Sequence, residues 1–157
     1  MTRPSAFPVR QIPPMLVVED SNEDFEALQR LLRPSPTAIP IRRCVNGYEA
    51  LAFLYRTGSY GDREHSPRPS LTVLDLNLPG IDGREVLYRI KQDENLKSIP
   101  VVVFTTSSNP KDVEDCYRCG VNSYIVKPIN FEQLKRDVQM LVDYRFKMTT
   151  LPDRPED

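Results

Sequence analysis

Polar and charged residues close several of the chain's short apolar runs, and their types belong together chemically. Glu19 and Asp20 follow MLVV, Asp75 follows LTVL, Thr105 and Thr106 close VVVF, and Lys127 follows SYIV. A lone charge at the end of a buried run is costly, so Asp75 in particular needs partners. Carboxylates gathered in one place repel one another and call for a cation. Hard oxygen ligands suit Mg2+, which is commonly held by one or two carboxylates, waters and a substrate phosphate. Beside such an ion Asp75 has the chemistry of a nucleophile toward a phosphoryl group, giving an aspartyl phosphate. Lys127 and Mg2+ would neutralise charge on the transferring oxygens, and the Thr105 hydroxyl would hydrogen-bond one of them.

These residues meet only if the apolar runs are neighbouring strands of one sheet. The runs span 15–18, 39–44, 71–75, 101–105 and 123–126. β-Branched stretches such as PVVVF suit strands buried on both faces of a parallel sheet. The segments between them begin alike: Ser21 precedes Asp24, Asn46 precedes Glu49, Asp82 precedes Glu85, Asn109 precedes Asp112 and Asn130 precedes Gln133. Each pair is a helix N-cap with an acid or amide at the third helical position. Pro110 falls at a first helical position, where its missing N–H costs nothing. Gly120 follows the fourth helix, where a left-handed stop is expected. Phe25, Leu28 and Leu32 share one helical face, as do Leu134, Val138, Leu141 and Val142. Strict alternation of five strands with five helices predicts a parallel sheet between two helical layers. In such sheets ligands bind at the carboxyl ends of the strands, beside the switch in strand order. Glu19, Asp20, Asp75, Thr105, Thr106 and Lys127 all sit at those ends.

The bulk numbers narrow the functional classes. A chain of 157 residues is one domain of ordinary size. With 39% hydrophobic and 27% charged residues it reads as globular rather than disordered. A net charge of −1 supplies no global field for nucleic acid or an anionic membrane. The apolar runs are too short to span a bilayer, the start MTRPSAFPVRQIPP lacks the apolar stretch of a secretory signal, and three cysteines do not make a disulfide framework. The expected location is cytoplasmic, with no membrane association. Residues 1–14 read as a flexible arm, 15–147 as the folded domain and 148–157 as a frayed tail. The segment TGSYGDREHSPRP between the second helix and third strand reads as an exposed loop.

Four stretches in order, VVEDS, VLDLNLPGIDG, VVFTTS and SYIVKP, resemble the receiver domain of two-component response regulators over roughly residues 15–147. The resemblance implies a flavodoxin-like, doubly wound sheet with strand order 2-1-3-4-5. It implies phosphoryl transfer from a sensor histidine kinase to Asp75. It implies Mg2+ ligation by Asp20, Asp75 and the Asn77 main-chain carbonyl, with Glu19 helping through water; many members carry Asp where Glu19 stands. Thr105 and Thr106, Lys127 and Tyr124 take the phosphate-binding and switching positions, and the Lys127–Pro128 bond is expected to be cis. Asn77 and Ser107 fall where the family tunes hydrolysis. The long loop before the third strand, RPSL and the ending VDYRFKMTTLP resemble the single-domain regulators that partner bacterial phytochromes. That likeness implies a homodimer through the fourth and fifth helices and the C-terminal extension, with Tyr144 and Phe146 as contacts.

Other readings compete with these. Tyr124 serves equally as a rotamer switch or as ordinary packing. Tyr144 and Phe146 form a contact patch or pack back on their own domain. Cys116 and Cys119 share redox or zinc spacing, but they fall late in a helix, the chain has a single histidine, and inert thiols are expected. That histidine, His65, reads as a loop residue. An aspartate-nucleophile phosphohydrolase would carry Asp-x-Asp after its first strand; here the corresponding spacing is Asp75-Leu76-Asn77 after the third. A flavin carrier would need a Gly- or Ser/Thr-rich phosphate loop where EDSNEDF stands. No separate turnover substrate and no direct DNA contact are expected. Output then runs through protein contacts, a change of dimer, or relay of phosphate to a histidine phosphotransfer protein.

Overall fold

The computed structural model describes residues 13–33, 39–62 and 66–152. His65, the arm up to residue 12 and the tail from 153 lie outside them. Strands β1 (Met15–Val18), β2 (Ile41–Cys44), β3 (Leu71–Leu74), β4 (Val101–Thr105) and β5 (Ser123–Val126) alternate with helices α1 (Asn22–Leu32), α2 (Gly47–Tyr55), α3 (Gly83–Gln92), α4 (Pro110–Cys119) and α5 (Phe131–Val142). All pairings are parallel and the order is β2-β1-β3-β4-β5, as expected. β2 begins two residues later than its apolar run because the ladder starts beyond Pro40, whose carbonyl accepts from Met15 N–H at 2.8 Å. β3 ends one residue before Asp75, although Asp75 N–H still donates to the Val18 carbonyl at 3.1 Å.

The side-chain period of two sorts the strand residues onto two cores. Leu16, Val18, Leu74, Val101 and Val103 face α2, α3 and α4, packing on Leu54, Val86, Leu87 and Ile90. Met15, Val17, Val73 and Val102 face α1 and α5, packing on Leu28 and Val138 with Phe25, Leu32, Leu134 and Leu141 beside them. The helical faces predicted for α1 and α5 are the buried ones. Each buried aliphatic side chain contributes about 1.5–3 kcal/mol. The exposed pairs Glu85–Arg89 and Glu114–Arg118 add a few tenths of a kcal/mol at ~0.2–0.5 each, so the fold is held by these two layers.

Every predicted cap forms. Ser21 accepts from Asp24 N–H, Asn46 from Glu49 N–H, and Asn130 from the N–H groups of Glu132 and Gln133. Asp82 and Asn109 cap one residue earlier, accepting from Arg84 and Lys111 N–H. Glu49 reaches back to Val45 N–H at 2.9 Å. Gly120 closes α4 in the left-handed region at φ 108°. α2 ends the same way on a non-glycine residue, Arg56 at φ 57°, whose guanidinium donates to the Ser66 carbonyl. Arg68 donates to the Leu54 carbonyl, so the long loop is pinned to α2. Pro13 and Pro14, read as part of the free arm, are tied to Ser70 through their carbonyls. At the amino-terminal edge of the sheet, Lys91 Nζ clamps the carbonyls of Lys97 and Ile99 and the Asn122 side chain. α5 runs on into a π-helical ending over Asp143–Met148. Among the described residues no helix is long and apolar enough to cross a membrane.

Gly83 opens α3 directly against the end of β3. A Cβ there would lie 2.2 Å from the Asp75 carbonyl oxygen and 2.6 Å from Leu76 Cα. Both are backbone atoms that cannot swing away. Gly83→Ala is expected to destabilise the fold by about 1–3 kcal/mol, read as a lower urea midpoint.

Candidate functional site

Main-chain bonds bring three strand ends together. Glu19 N–H donates to the Cys44 carbonyl at 3.0 Å, Asp75 N–H to the Val18 carbonyl at 3.1 Å and Lys127 N–H to the Thr105 carbonyl at 2.7 Å. The Glu19 carbonyl in turn accepts from Arg43 Nε at 3.1 Å. Glu19 and Asp75 are buried and Asp20 is exposed. Lys127 sits among them with its side chain only 10% exposed. Its Nζ lies 2.7 Å from Glu19 Oε1, 2.8 Å from Asp24 Oδ2 and 3.0 Å from Asp75 Oδ2. An ammonium has three N–H groups, and here each has an acceptor.

The charges shape one another. Burial first, and then the neighbouring Asp75 carboxylate, push Glu19 well above the usual carboxylate range. Burial also acts to raise Asp75, but hydrogen bonding with Glu19, the Asn77 N–H and Lys127 outweighs it and holds Asp75 low. Burial would lower Lys127, yet its three carboxylates keep it firmly charged. With both acids ionised, the buried Glu19 Oε2 has no donor facing it; protonated, Glu19 shares its hydrogen with Asp75. Two carboxylates this close favour either a shared proton or a bound cation.

That environment fits a divalent ion. One oxygen each from Glu19, Asp20 and Asp75 lie within 4.8 Å of one another. The set is all hard oxygen, and Glu19 also carries a buried oxygen without a hydrogen-bond partner. It is the metal-competent cluster found among the described residues. Asn77, expected to ligate through its carbonyl, donates its N–H to Asp75 Oδ1 at 3.0 Å and so orients the acid.

The remaining predicted residues separate. Thr105 is fully buried and its Oγ1 lies 3.5 Å from Ser107 N–H, whereas Thr106 is exposed. Tyr124 donates its hydroxyl to the Ser107 carbonyl at 2.8 Å and packs its ring against the α2–α4 core. Both members of the expected switch pair therefore meet Ser107. The Lys127–Pro128 bond is trans, not cis: no peptide bond among the described residues is cis, and trans is the lower form of an X–Pro bond by about 0.5–1 kcal/mol. Cys116 is buried and Cys119 half-buried, both free. Burial pushes the Cys116 thiol up to about 11, as an inert role requires. Phe146 packs on the α1–α5 core of its own chain, and Tyr144 is exposed.

Sequence reasoning missed Asp24 as a partner of Lys127. Its position three residues after Ser21 was fully accounted for by capping, and the contact with Lys127 joins residues 103 apart in sequence. It also missed the pairing of Arg84 with Asp112. Arg84 Nε and Nη2 meet Asp112 Oδ1 and Oδ2 at 2.9 and 2.8 Å, and Ser107 Oγ donates to the same Oδ2 at 2.6 Å.

The response regulator receiver domain family matches residues 15–139. Response regulator Rcp1 of Synechocystis sp. is 45% identical over 138 residues, which is 88% of this chain and 92% of Rcp1. The Mn2+-bound form of Rcp1 superposes with a TM-score of 0.85 at 44% identity, covering 90% of this chain and 99% of that one. The phosphorylated cyanobacterial phytochrome response regulator RcpA superposes with a TM-score of 0.86 at 39% identity, again over 90% and 99% of the two chains.

Burial and Asp75 raise Glu19 above the usual carboxylate range, and a cation beside it favours the ionised form. Divalent-ion binding at neutral pH is therefore expected to release protons, measured as calorimetric heats that vary with the ionisation enthalpy of the buffer. Glu19→Gln should remove most of that buffer dependence.

Proposed function

Because the chain belongs to the response regulator receiver domain family, we propose that it works as a phosphoacceptor switch in which Asp75 takes a phosphoryl group from the phosphohistidine of a sensor kinase. The observation that carries this reading is the Lys127 ammonium bridging Asp75, Glu19 and Asp24 at 2.7–3.0 Å. It marks a carboxylate held low and oriented at the carboxyl end of the sheet, beside a fixed positive charge.

The transfer forms a bond from an Asp75 carboxylate oxygen to phosphorus and breaks the bond from phosphorus to the donor nitrogen, whose electron pair returns to the imidazole. Asp75 is prepared for attack because Asn77 N–H and Lys127 fix one oxygen each. Lys127 then offers an N–H to the arriving oxygens, and the Thr105 hydroxyl is the neutral donor on the β4 side. Mg2+ held by Glu19, Asp20 and Asp75 would supply further neutralisation of the phosphoryl oxygens. Asp75 acts on itself, and the protein is a signalling component rather than an enzyme with a separate turnover substrate. Adding about −1.5 to −2 charges beside Thr105 and Lys127 biases the β4–α4 loop and Tyr124, and so the α4–β5–α5 surface.

The likeness to Rcp1 and RcpA supports a phytochrome-class kinase as the donor. Output is assigned to a homodimer rather than to DNA on the exposed apolar side chains at the end of α5. The surface for that dimer is the exposed row Met140, Tyr144 and Met148, spaced by helical turns at the end of α5, while Phe146 packs inward on its own chain.

Acetyl phosphate with Mg2+ is expected to label the chain with an acid-stable, base-labile adduct, and Asp75→Asn to abolish it. Labelling that survives in Asp75→Asn would overturn the assignment. Tyr144→Glu is expected to shift the mass in light scattering from dimer to monomer at micromolar concentration; a wild-type monomer with and without acetyl phosphate would refute the dimer.

A further inference from the structure

We propose that Arg84 and Asp112, neither of which belongs to the acid cluster, are positioning residues for the phosphoacceptor reaction: together they latch Ser107 and hold the β4–α4 loop in its resting arrangement. The proposal rests on the phosphoacceptor reading of Asp75.

Ser107 stands two residues after Thr105, and all of its polar groups are engaged. Its N–H faces Thr105 Oγ1 at 3.5 Å, its carbonyl accepts from Tyr124 at 2.8 Å and its hydroxyl donates to Asp112 at 2.6 Å. Asp112 lies in the first turn of α4 and is gripped by Arg84 of α3 through two parallel N–H···O bonds, the strong fork geometry of a guanidinium on a carboxylate. The other arm of Arg84 is on Asp82, 3.1 Å from each carboxylate oxygen. Asp82 caps α3, and α3 starts against the Asp75 carbonyl at Gly83. A continuous run of contacts thus leads from the main chain of Asp75, through α3, Arg84 and Asp112, to the loop that must move if the Thr105 hydroxyl is to turn toward a phosphoryl oxygen.

The latch is shielded enough to matter. Asp112 is 18% exposed and Arg84 39%, unlike the open ion pairs elsewhere on the helices. Arg84 first, and Ser107 second, hold the Asp112 carboxyl down to about 2. It therefore stays ionised at any physiological pH, and the latch yields to movement of the loop rather than to protonation. Moving Ser107 toward the acid cluster requires it to leave Asp112 or to drag the start of α4 away from Arg84. Either motion stretches bonds that exist in the resting arrangement, so the latch weights the equilibrium against the phosphorylated one.

The sign of this effect separates it from ordinary structural support. Removing a merely structural pair weakens the fold and weakens ligand binding with it. Removing the latch weakens the fold but strengthens binding of anything that mimics the phosphoryl group. The test uses beryllofluoride with Mg2+ on the full chain, comparing wild type, Arg84→Gln, Asp112→Asn and the double variant, with urea midpoints measured alongside. Each single variant is expected to lower the midpoint yet bind beryllofluoride about fivefold more tightly. The double variant should bind no tighter than the singles, because both changes open the same latch. Single variants that bind beryllofluoride equally or more weakly than wild type, or gains that multiply in the double variant, would overturn the latch. Wild-type hydrogen exchange covers the case of variants that do not fold: beryllofluoride should speed exchange over residues 106–113, and unchanged or slower exchange there counts against the proposal. A wild-type chain that binds no beryllofluoride would instead overturn the phosphoacceptor reading, and this inference with it.

Discussion

A single ammonium group holds the site together. Lys127 brings one positive charge into a space that Glu19 and Asp75 reach from the ends of two strands and Asp24 from α1, at an exposure of 10%. Without it, two buried carboxylates would face each other across a low-dielectric gap, an arrangement that costs several kcal/mol. With it, Asp75 is held below the usual carboxylate range while burial and Asp75 raise Glu19. The ammonium is placed by the main chain, because Lys127 N–H closes on the Thr105 carbonyl at 2.7 Å. The register between β4 and β5 thus fixes the charge that governs Asp75. Lys91 at the opposite edge of the sheet is a useful contrast: it binds two main-chain carbonyls and an asparagine and secures the fold there.

The part of this arrangement legible in the sequence is the part set by local rules. The parallel sheet followed from alternation, its strand order from the family resemblance, and the helix starts from Ser21, Asn46, Asp82, Asn109 and Asn130, each of which caps its helix. Glu19, Asp20, Asp75 and Lys127 were findable because polar residues at the ends of buried runs need a reason. Asp24 and Asp112 were less visible, since each stood where a helix N-terminus already welcomes an acid. Their second partners come from distant parts of the chain, Lys127 in one case and Arg84 in the other, and no local period announces such pairs. The trans Lys127–Pro128 bond and the inward packing of Phe146 likewise depend on tertiary surroundings.

Tyr124 shows how two competing readings can both describe one residue. Its ring lies against the core, which is ordinary packing. Its hydroxyl ends on the Ser107 carbonyl, which ties that packing to the loop after β4. An aromatic with an apolar body and one polar tip therefore senses the loop through a single hydrogen bond while the half-buried ring stays packed on the core.

The sheet divides the interior into two layers that never mix, and each layer reaches Asp75 through its own residues. On the α1 and α5 side the link is Asp24 with Lys127; on the α3 and α4 side it is Gly83, packed on the Asp75 main chain, with Arg84 and Asp112 beyond it. Surface substitutions that redesign one side leave the wiring of the other intact. A lineage built on this scaffold is free to exchange its upstream donor and its downstream listener at different times, with the same aspartate serving both.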